Sequence, residues 1–375
     1  MPVKRVLFLT LNAFSLTGGI EKFNRAFLKA MSDLDKEGKI KAYATSAYDV
    51  EADERYFANN RYKGFQGNRV RFVIDVIKSA FTFDTLILSH INLSFAAYIV
   101  KKLFPSRQII LVAHGIEVWG ELKGFKKKGL QQADKILAVS AFTKQRIVEV
   151  HNIDANKISV FHNTLDPYFI FPPAFEKPKY LLERYSLKEN DPVVLTLTRL
   201  ASTEKNKGYD HIINVFASLR ERFSSAKYIL AGKPDPKEKL RLNNLIEENQ
   251  LATNVILTGF IKDEEITDHY LLADVFILPS QKEGFGIVFI EAMACGLPVI
   301  AGNKDGSVDA LQNGALGLLV NPDSEAEILN ALQKSLLVKE DRLPASTKHE
   351  LQQKVIDAFG FDTYKKRLRE VLEVL

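Results

Sequence analysis

The feature that most constrains this chain is an alternation of short apolar runs with amphipathic stretches, which occurs twice. In the first half, apolar runs of strand length occupy 6–11, 40–45, 85–89, 108–113 and 135–140. In the second half they occupy 192–198, 228–231, 255–258, 275–278 and 299–301. Helical patterns lie between them, and strands that alternate with helices form parallel sheets. The segment 48–67 has little periodicity and predicts a long loop, whereas 361–375 predicts a final helix.

The two alternating regions are separated by a proline-rich segment, Asp166 to Pro178, which has no period and predicts a linker. A length of 375 residues also favours two domains over one. We therefore predict an α/β protein with an N-terminal domain, 1–172 joined by 360–375, and a C-terminal domain, 173–359. Two doubly wound, Rossmann-like domains would face each other across a cleft at the carboxyl ends of their strands, where such folds bind ligands.

Composition excludes several classes of protein. Cys295 is the single cysteine of the sequence, so an internal disulfide framework and a multi-cysteine metal site are excluded. No window holds about 18 consecutive apolar residues, as a membrane-spanning helix requires. The apolar run near the N-terminus is too short for a signal peptide. We expect a cytoplasmic protein.

Charge is distributed unevenly between the two halves. Residues 1–170 contain 25 Lys and Arg against 16 Asp and Glu, whereas 171–375 contain 26 against 30. A basic half suits anionic lipid headgroups, nucleic acid or acidic substrates, and a solvated basic face is the simpler alternative. Nucleic acid is disfavoured because no helix-turn-helix, zinc finger or aromatic-studded strand accompanies the charge. Peripheral contact with the inner face of the membrane stays open.

The densest group of chemically informative residues lies in 279–300, where a strand, a glycine-bearing loop and a helix follow one another. Gly284 and Gly286 allow the backbone to approach a ligand, and the first turn of the helix suits a phosphate. Glu283 and Glu291 are eight residues apart, and a carboxylate can accept two hydrogen bonds from a vicinal diol. The alternative is a helix-entry turn with a charge that suits the helix dipole.

This run resembles the Glu-x7-Glu motif of the retaining glycosyltransferases of family 4, which have the GT-B fold. The flanking Pro-Ser and Glu-Ala-Met-Ala-x-Gly-x-Pro-Val also match. The resemblance implies that Glu283 contacts hydroxyls of the donor sugar and that Glu291 contacts the nucleotide ribose. It also implies that backbone amides near Phe285, Gly286 and Ile287 face the sugar and the diphosphate.

Two cations form a second candidate group. Arg199 ends an apolar strand, and Lys207 precedes Gly208 at the entry to the next helix. Fixed cations can neutralise the charge that develops on a leaving diphosphate, although surface charge is the alternative. The pair is similar to the diphosphate-binding Arg and Lys of the family, and a spacing about two residues longer than the commonest form leaves Lys205 as an alternative to Lys207.

No metal or other cofactor is expected. The sequence has one Asp-x-Asp, Asp33-Leu-Asp35, which lies near the end of a helical pattern rather than after a strand. No cluster of His, Asp and Glu has metal-ligand spacing. The cations would then replace the divalent ion used by other transferases.

Further candidate residues rest on the resemblance. His114 ends a strand and corresponds to a family histidine near donor sugar and acceptor, with a predicted role in orientation or hydrogen bonding. Gly18 and Gly19 resemble the N-terminal Gly-Gly loop, which permits close phosphate approach. Gly232 and the main chain near Ile261 resemble the loops beside the nucleotide.

One segment departs from the family pattern. Asp305-Gly306-Ser307 replaces the commoner glycine-rich turn, and Asp309 occupies roughly the place of the acid that follows it. The resemblance therefore does not extend to a contact with sugar or acceptor at this turn.

The predicted function is a retaining, metal-independent transfer of a hexose from a nucleoside diphosphate sugar to a saccharide or lipid-linked saccharide, in polysaccharide or glycolipid synthesis. UDP-glucose or UDP-galactose is favoured over GDP-mannose. The alternatives are a non-catalytic nucleotide-sugar-binding protein and an epimerase or phosphorylase of the same fold.

Overall fold

A computed structural model describes residues 3–340 and 345–373 of the chain. Its internal contacts divide the chain into two compact units. Unit 1 comprises Met1–Phe169 with Phe359–Leu375, and unit 2 comprises Ile170–Ala358. Each unit contains one parallel sheet with helices packed on it. Among the described residues, no helix combines the length and the apolar character needed to cross a bilayer.

Unit 1 contains a sheet of seven parallel strands in the order β3-β2-β1-β4-β5-β6-β7. The strands are β1 (Lys4–Thr10), β2 (Ile40–Ser46), β3 (Tyr62–Gly64), β4 (Thr85–Leu88), β5 (Gln108–Ala113), β6 (Lys135–Ala138) and β7 (Ile158–Val160). The helices between them are α1 (Gly19–Lys36), α2 (Arg69–Ser79), α3 (Ser94–Leu103), α4 (Ile116–Trp119), α5 (Gly124–Gln132) and α6 (Ala141–His151). The central strands are buried on both faces, which explains why their sequences are continuously apolar rather than alternating.

Unit 2 contains a sheet of six parallel strands in the order β10-β9-β8-β11-β12-β13. The strands are β8 (Val193–Leu197), β9 (Lys227–Ala231), β10 (Val255–Gly259), β11 (Val275–Leu278), β12 (Val299–Gly302) and β13 (Leu318–Val320). The helices are α7 (Lys179–Arg184), α8 (Tyr209–Arg222), α9 (Pro236–Glu248), α10 (Asp263–Leu272), α11 (Ile287–Ala294), α12 (Ser307–Ala310), α13 (Glu325–Glu340) and α14 (Ala345–Phe359).

The last helix, α15 (Phe361–Glu373), belongs to unit 1, where it packs against α1. Its Tyr364 ring is buried among the rings of Phe23, Phe27 and Phe161. The prediction of a helix from 361 onward is confirmed as far as Glu373, and residues 374 and 375 lie outside the described part of the chain.

The predicted long loop over 48–67 is a loop over most of its length, but the prediction missed a short strand within it. The segment contains a 3₁₀ turn, Asn59–Arg61, and strand β3, which pairs in parallel with β2 from Tyr62↔Ala44 to Gly64↔Ser46. The short strands β7 and β13 were also absent from the prediction. Three-residue edge strands are too short to show a hydrophobic period, so pairing with a neighbour decides their conformation.

Candidate active site

The loop between β11 and α11 contains the Glu-x7-Glu motif. Gly286 precedes the first residue of α11 and has a φ of +87°, and a Cβ there would overlap the ring of Phe289. Glycine is therefore required at this turn. Phe285 and Ile287 on either side are buried, so their side chains fix the loop in the core of unit 2. The three residues predicted to offer backbone amides lie at the N-terminus of α11, where helix N–H groups lack helical acceptors.

Lys207 and Glu283 form an ion pair at the carboxyl edge of the unit 2 sheet. Lys207 Nζ lies 2.8 Å from Glu283 Oε2, and both side chains are largely buried. Gly208, with a φ of +77°, lies so close to Pro279 that a Cβ would overlap its carbonyl oxygen. Burial alone would lower the Lys207 pKa, but the carboxylate of Glu283 outweighs burial and raises that pKa above its ordinary value. The lysine is therefore charged at neutral pH.

The other two candidate cations, Arg199 and Lys205, do not pair with Glu283. Arg199 is 75% exposed and pairs with Glu204, its Nη2 lying 2.7 Å from Glu204 Oε1. Lys205 is exposed and forms no ion pair with the described residues. The structure therefore brings Lys207, and not Lys205, to Glu283. Arg199 lies on a neighbouring loop of the same sheet edge, because it follows β8.

Glu291 lies inside α11 rather than at its surface. It is 2% exposed, and its Oε2 accepts a hydrogen bond of 3.1 Å from the Tyr270 hydroxyl. Burial and the neighbouring carboxylate raise the Tyr270 pKa, so the tyrosine stays protonated and donates. The geometry ties Glu291 to α10, and contact with a ribose stays a prediction.

The loops after β8, β9 and β10 meet at the same edge. The Gly232 N–H donates to Gly259 O over 3.0 Å, and a Cβ on Gly232 would overlap the carbonyl oxygen of Thr198. Ile261 follows β10 and is 6% exposed. Gly232 and Ile261, both predicted beside the nucleotide, therefore belong to adjacent loops.

Asp305 was noted in the sequence as a departure and not as a site residue. Its carboxylate is fully buried, with Oδ2 accepting from the Glu283 N–H over 2.6 Å and Oδ1 from the Ser307 N–H over 2.9 Å. The Gly306 N–H returns a 2.8 Å hydrogen bond to Glu283 O. Burial raises the pKa of Asp305 to about 7, although hydrogen bonds from Ser307 and Glu283 oppose this. The turn 305–307, which differs from the family pattern, thus holds the backbone of Glu283 in place.

Gly18 and Gly19 follow the loop after β1 in unit 1: Gly18 precedes α1, and Gly19 is its first residue. A Cβ on Gly19 would meet nothing within 4 Å, so packing does not require glycine there. The preceding loop is held by Asp49, which accepts hydrogen bonds from the backbone of Ala13, Phe14 and Ser15. No local pattern in the sequence marks Asp49 as the residue that fixes this loop.

His114 follows β5 at the carboxyl edge of the unit 1 sheet. Its Nε2 donates to Ser89 O over 2.7 Å, and its ring packs edge to face with that of Phe23, with ring centroids 4.9 Å apart. His90, which follows the neighbouring strand β4, stacks on His114 with ring centroids 6.3 Å apart. Glu117 accepts from the His114 backbone N–H over 2.6 Å. His90 and Glu117 were missed, although the strand-end position that identified His114 also describes His90.

Within residues 3–340 and 345–373, no group of three or more His, Cys, Asp or Glu side chains is arranged to hold a metal ion. Metal independence stays a prediction.

Comparison with known proteins identifies the class. Two parallel-sheet, Rossmann-like units with these loops are the GT-B architecture. The Anabaena protein HepE, in complex with UDP and glucose, superposes with a TM-score of 0.77 at 19% identity, covering 99% of this chain and all of that one. WaaG, a glycosyltransferase involved in lipopolysaccharide biosynthesis, gives a TM-score of 0.69 at 16% identity over 98% of this chain and 99% of WaaG. Identities this low establish the fold alone.

The family follows from two sequence models. "Glycosyltransferase Family 4" matches residues 17–169 and "Glycosyl transferases group 1" matches 181–352. The chain belongs to the family 4 glycosyltransferases of GT-B fold, which confirms the family and fold predicted from the motif.

A curated relative from Mycobacterium tuberculosis is described as a GDP-mannose-dependent alpha-(1-6)-phosphatidylinositol monomannoside mannosyltransferase. It is 30% identical over 255 residues, which cover 65% of this chain and 64% of the relative. The match thus spans under two thirds of that relative's length.

Proposed function

We propose that the chain transfers a hexose from a nucleoside diphosphate sugar to a hydroxyl of a saccharide or lipid-linked saccharide, with retention at the anomeric carbon. The observation that supports this most directly is the Lys207–Glu283 pair at the N-terminus of α11. It combines a cation for a diphosphate with a carboxylate for sugar hydroxyls at the edge where parallel sheets bind ligands.

In the proposed reaction, the bond between the anomeric carbon and the diphosphate oxygen breaks, and a bond to the acceptor oxygen forms on the same face. The acceptor proton passes to the leaving diphosphate. Lys207, Arg199 and the N-terminus of α11 stabilise the negative charge that develops on the diphosphate. Glu283 positions the sugar, and Asp305 holds the backbone of Glu283. No metal ion takes part in this proposal.

The donor is either a UDP-hexose or GDP-mannose. The motif resemblance favours UDP-glucose or UDP-galactose, and HepE was solved with UDP and glucose. The mycobacterial relative is described as GDP-mannose-dependent, which is the observation that keeps GDP-mannose as a second candidate. Both donors therefore belong in the first experiment.

Peripheral membrane contact through unit 1 is the proposed route to a lipid-linked acceptor. Helices α2 and α3 pack together, as do α3 and α5, and they expose Val70, Leu103 and Phe125. Lys126, Lys127 and Lys128 in α5 add positive charge. Apolar and basic side chains on neighbouring helices suit an anionic bilayer surface. We expect the chain to float with anionic liposomes and not with neutral ones; equal behaviour with both would remove this part of the proposal.

The first experiment measures thermal stabilisation by UDP, GDP, ADP and their sugar conjugates, with magnesium and with chelator. A shift selective for one nucleotide and independent of magnesium supports the donor site. No shift with any nucleotide would contradict the transferase proposal and favour a protein that does not use nucleotide sugars. Formation of the free nucleoside diphosphate that depends on an acceptor distinguishes transfer from epimerisation.

The Lys207→Ala substitution tests the role assigned to the ion pair. We expect turnover with the identified donor to fall by about 10²–10³-fold, because one preorganised charge is removed from the leaving group. Lys205→Ala is the matched control, since Lys205 lies two residues earlier and is exposed. Lys207→Arg reports on folding, because it retains a charge for Glu283. Equal rates for the two alanine variants would refute the assignment.

A further inference from the structure

The loop between Arg199 and Lys207 contains both cations that are assigned to the diphosphate. It is about two residues longer than the commonest form of the family motif. Arg199 is exposed whereas the next residue, Leu200, is buried, so the two side chains point to opposite sides of the chain. Packing does not fix an exposed side chain. The position of the Arg199 guanidinium therefore depends on what holds the backbone on both sides of it.

The backbone on both sides of this arginine is held by the loop after β9. The Thr198 N–H donates to Ala231 O over 3.0 Å, and Leu200 pairs with Pro234 in a parallel bridge. The Asp235 N–H donates to Leu200 O over 3.1 Å. The pairing of β8 with β9 thus continues beyond the ends of the two strands and includes the segment that contains the arginine.

The side chain of Asp235 adds a further contact to this pairing. Asp235 precedes the first residue of α9, and its Oδ1 accepts from the Glu238 N–H over 2.9 Å, which caps the helix. Its Oδ2 accepts from the Ser202 N–H over 2.7 Å. Backbone donors lower the pKa of Asp235, the Ser202 N–H contributing most, so the carboxylate is ionised at neutral pH. One carboxylate therefore joins the N-terminus of α9 to the loop that contains Arg199.

We propose that Asp235 is a positioning residue for Arg199, which it holds at the diphosphate of the donor through the backbone of Ser202. This role rests on the proposed function, since it requires a diphosphate beside Arg199. A loop that is fixed before binding loses less conformational freedom when the ligand arrives, so the ligand binds more tightly. Asp235 is not among the residues that the family resemblance implies, and none of the comparisons assigns it a role.

Two substitutions of Asp235 separate its contact with the loop from its cap on the helix. Serine and asparagine are both favoured N-cap residues, so Asp235→Ser and Asp235→Asn keep a bond to the Glu238 N–H. Each offers one side-chain oxygen in place of two, so the Ser202 N–H loses its acceptor. We expect the midpoint of thermal unfolding to change by less than about 3 °C in either variant. Asp235→Ala, which removes both bonds, should lower that midpoint further.

The probes are inorganic pyrophosphate, UDP and GDP, titrated into the full chain by calorimetry with chelator present. We expect Asp235→Ser and Asp235→Asn to bind them about tenfold more weakly than the unaltered chain, the effect of losing one hydrogen bond to a charged group. Thr203→Ala is the matched control, because Thr203 is an exposed residue of the same loop and its replacement should not change the affinity. Affinities of both Asp235 variants equal to that of the unaltered chain would overturn the positioning role.

A double-mutant cycle shows whether Asp235 acts through Arg199. Arg199→Ala removes the guanidinium, so the addition of Asp235→Ser to that variant should weaken binding no further. A structural role unrelated to Arg199 would instead weaken binding by the same factor in both backgrounds. Equal factors would therefore overturn the proposal, even if the single Asp235→Ser variant binds tenfold more weakly as expected.

The outcome is separable from that of the proposed function. If the unaltered chain binds neither pyrophosphate nor any nucleotide, the proposed function and the role of Asp235 both fail. If the unaltered chain binds a nucleoside diphosphate and the Asp235 variants bind it equally well, the role of Asp235 alone fails. Weaker binding by Asp235→Ser that depends on the presence of Arg199 supports both.

Discussion

Two buried carboxylates hold the glycine loops of the two units, and they do so with different numbers of donors. In unit 1, Asp49 accepts from three backbone N–H groups and from the hydroxyls of Ser15, Ser46 and Tyr62. In unit 2, Asp305 accepts from the backbone N–H groups of Glu283 and Ser307. Both are nearly inaccessible to solvent.

The difference decides the charge of each group. Burial raises the pKa of a carboxyl group in both places. At Asp49 the hydrogen bonds from Ser15, Tyr62 and Ser46 outweigh burial and lower the pKa below its ordinary value. At Asp305 burial prevails and the pKa rises to about 7. The buried aspartate of unit 1, Asp49, is therefore an anion at neutral pH, whereas that of unit 2, Asp305, titrates near neutrality.

The largest expected effect is that of Asp49→Ala. The substitution leaves several buried N–H and hydroxyl groups without their acceptor, so we expect the free energy of unfolding to fall by about 3–5 kcal/mol. Urea denaturation followed by circular dichroism measures this. Asp53→Ala is the matched control, because Asp53 is a solvent-accessible aspartate of the same unit that pairs with Arg55. A loss below about 1 kcal/mol would mean that the hydrogen bonds to Asp49 contribute little.

Gly306→Ala should have an intermediate effect. A Cβ on Gly306 would overlap the carbonyl oxygen of Gly284, so the turn and the Glu283 loop must separate. We expect a loss of about 1–3 kcal/mol in the free energy of unfolding, the range for overpacking, and weaker donor binding. Gly19→Ala is the control, because a Cβ there meets nothing and stability should change by less than about 0.5 kcal/mol. If the Gly306→Ala variant binds the donor as tightly as the unaltered chain, the turn does not contribute to donor binding.

The last effect is a pH dependence that arises at Asp305, which changes the free energy of unfolding by at most about 1.4 kcal/mol within one pH unit. The folded pKa of about 7 lies above the reference value of 3.8, so the native state binds this proton more tightly than the unfolded chain. Its contribution to the free energy of unfolding is therefore fully present below pH ~4 and decreases by at most about 1.4 kcal/mol per unit up to pH ~7.

Asp305→Asn should remove this component, which unfolding experiments between pH 5 and 8 can measure as a difference from the unaltered chain. Asp49→Asn is the comparison, because the lowered pKa of Asp49 places its own titration below that range. Identical pH slopes for the unaltered chain and Asp305→Asn would show that Asp305 does not titrate there.

The sequence by itself determined the alternation of strands and helices in each half of the chain, the parallel sheets and the glycosyltransferase motif. These properties are local, because a buried strand is a run of apolar residues and a helix-entry loop needs its own glycines. The ten predicted strand regions correspond to strands of the structure for the same reason. Gly286 is one example, since its positive φ is a requirement of its own turn.

Only the tertiary structure decided which side chains meet. Lys207 and Lys205 are two residues apart and alike in sequence, yet only Lys207 reaches Glu283, because the turn at Gly208 packs on Pro279. Asp49 and Asp305 bind loops that are distant along the chain. A hydrogen bond from a remote backbone N–H leaves no period or motif in the sequence, and packing of the sheet therefore decides where such anchors lie.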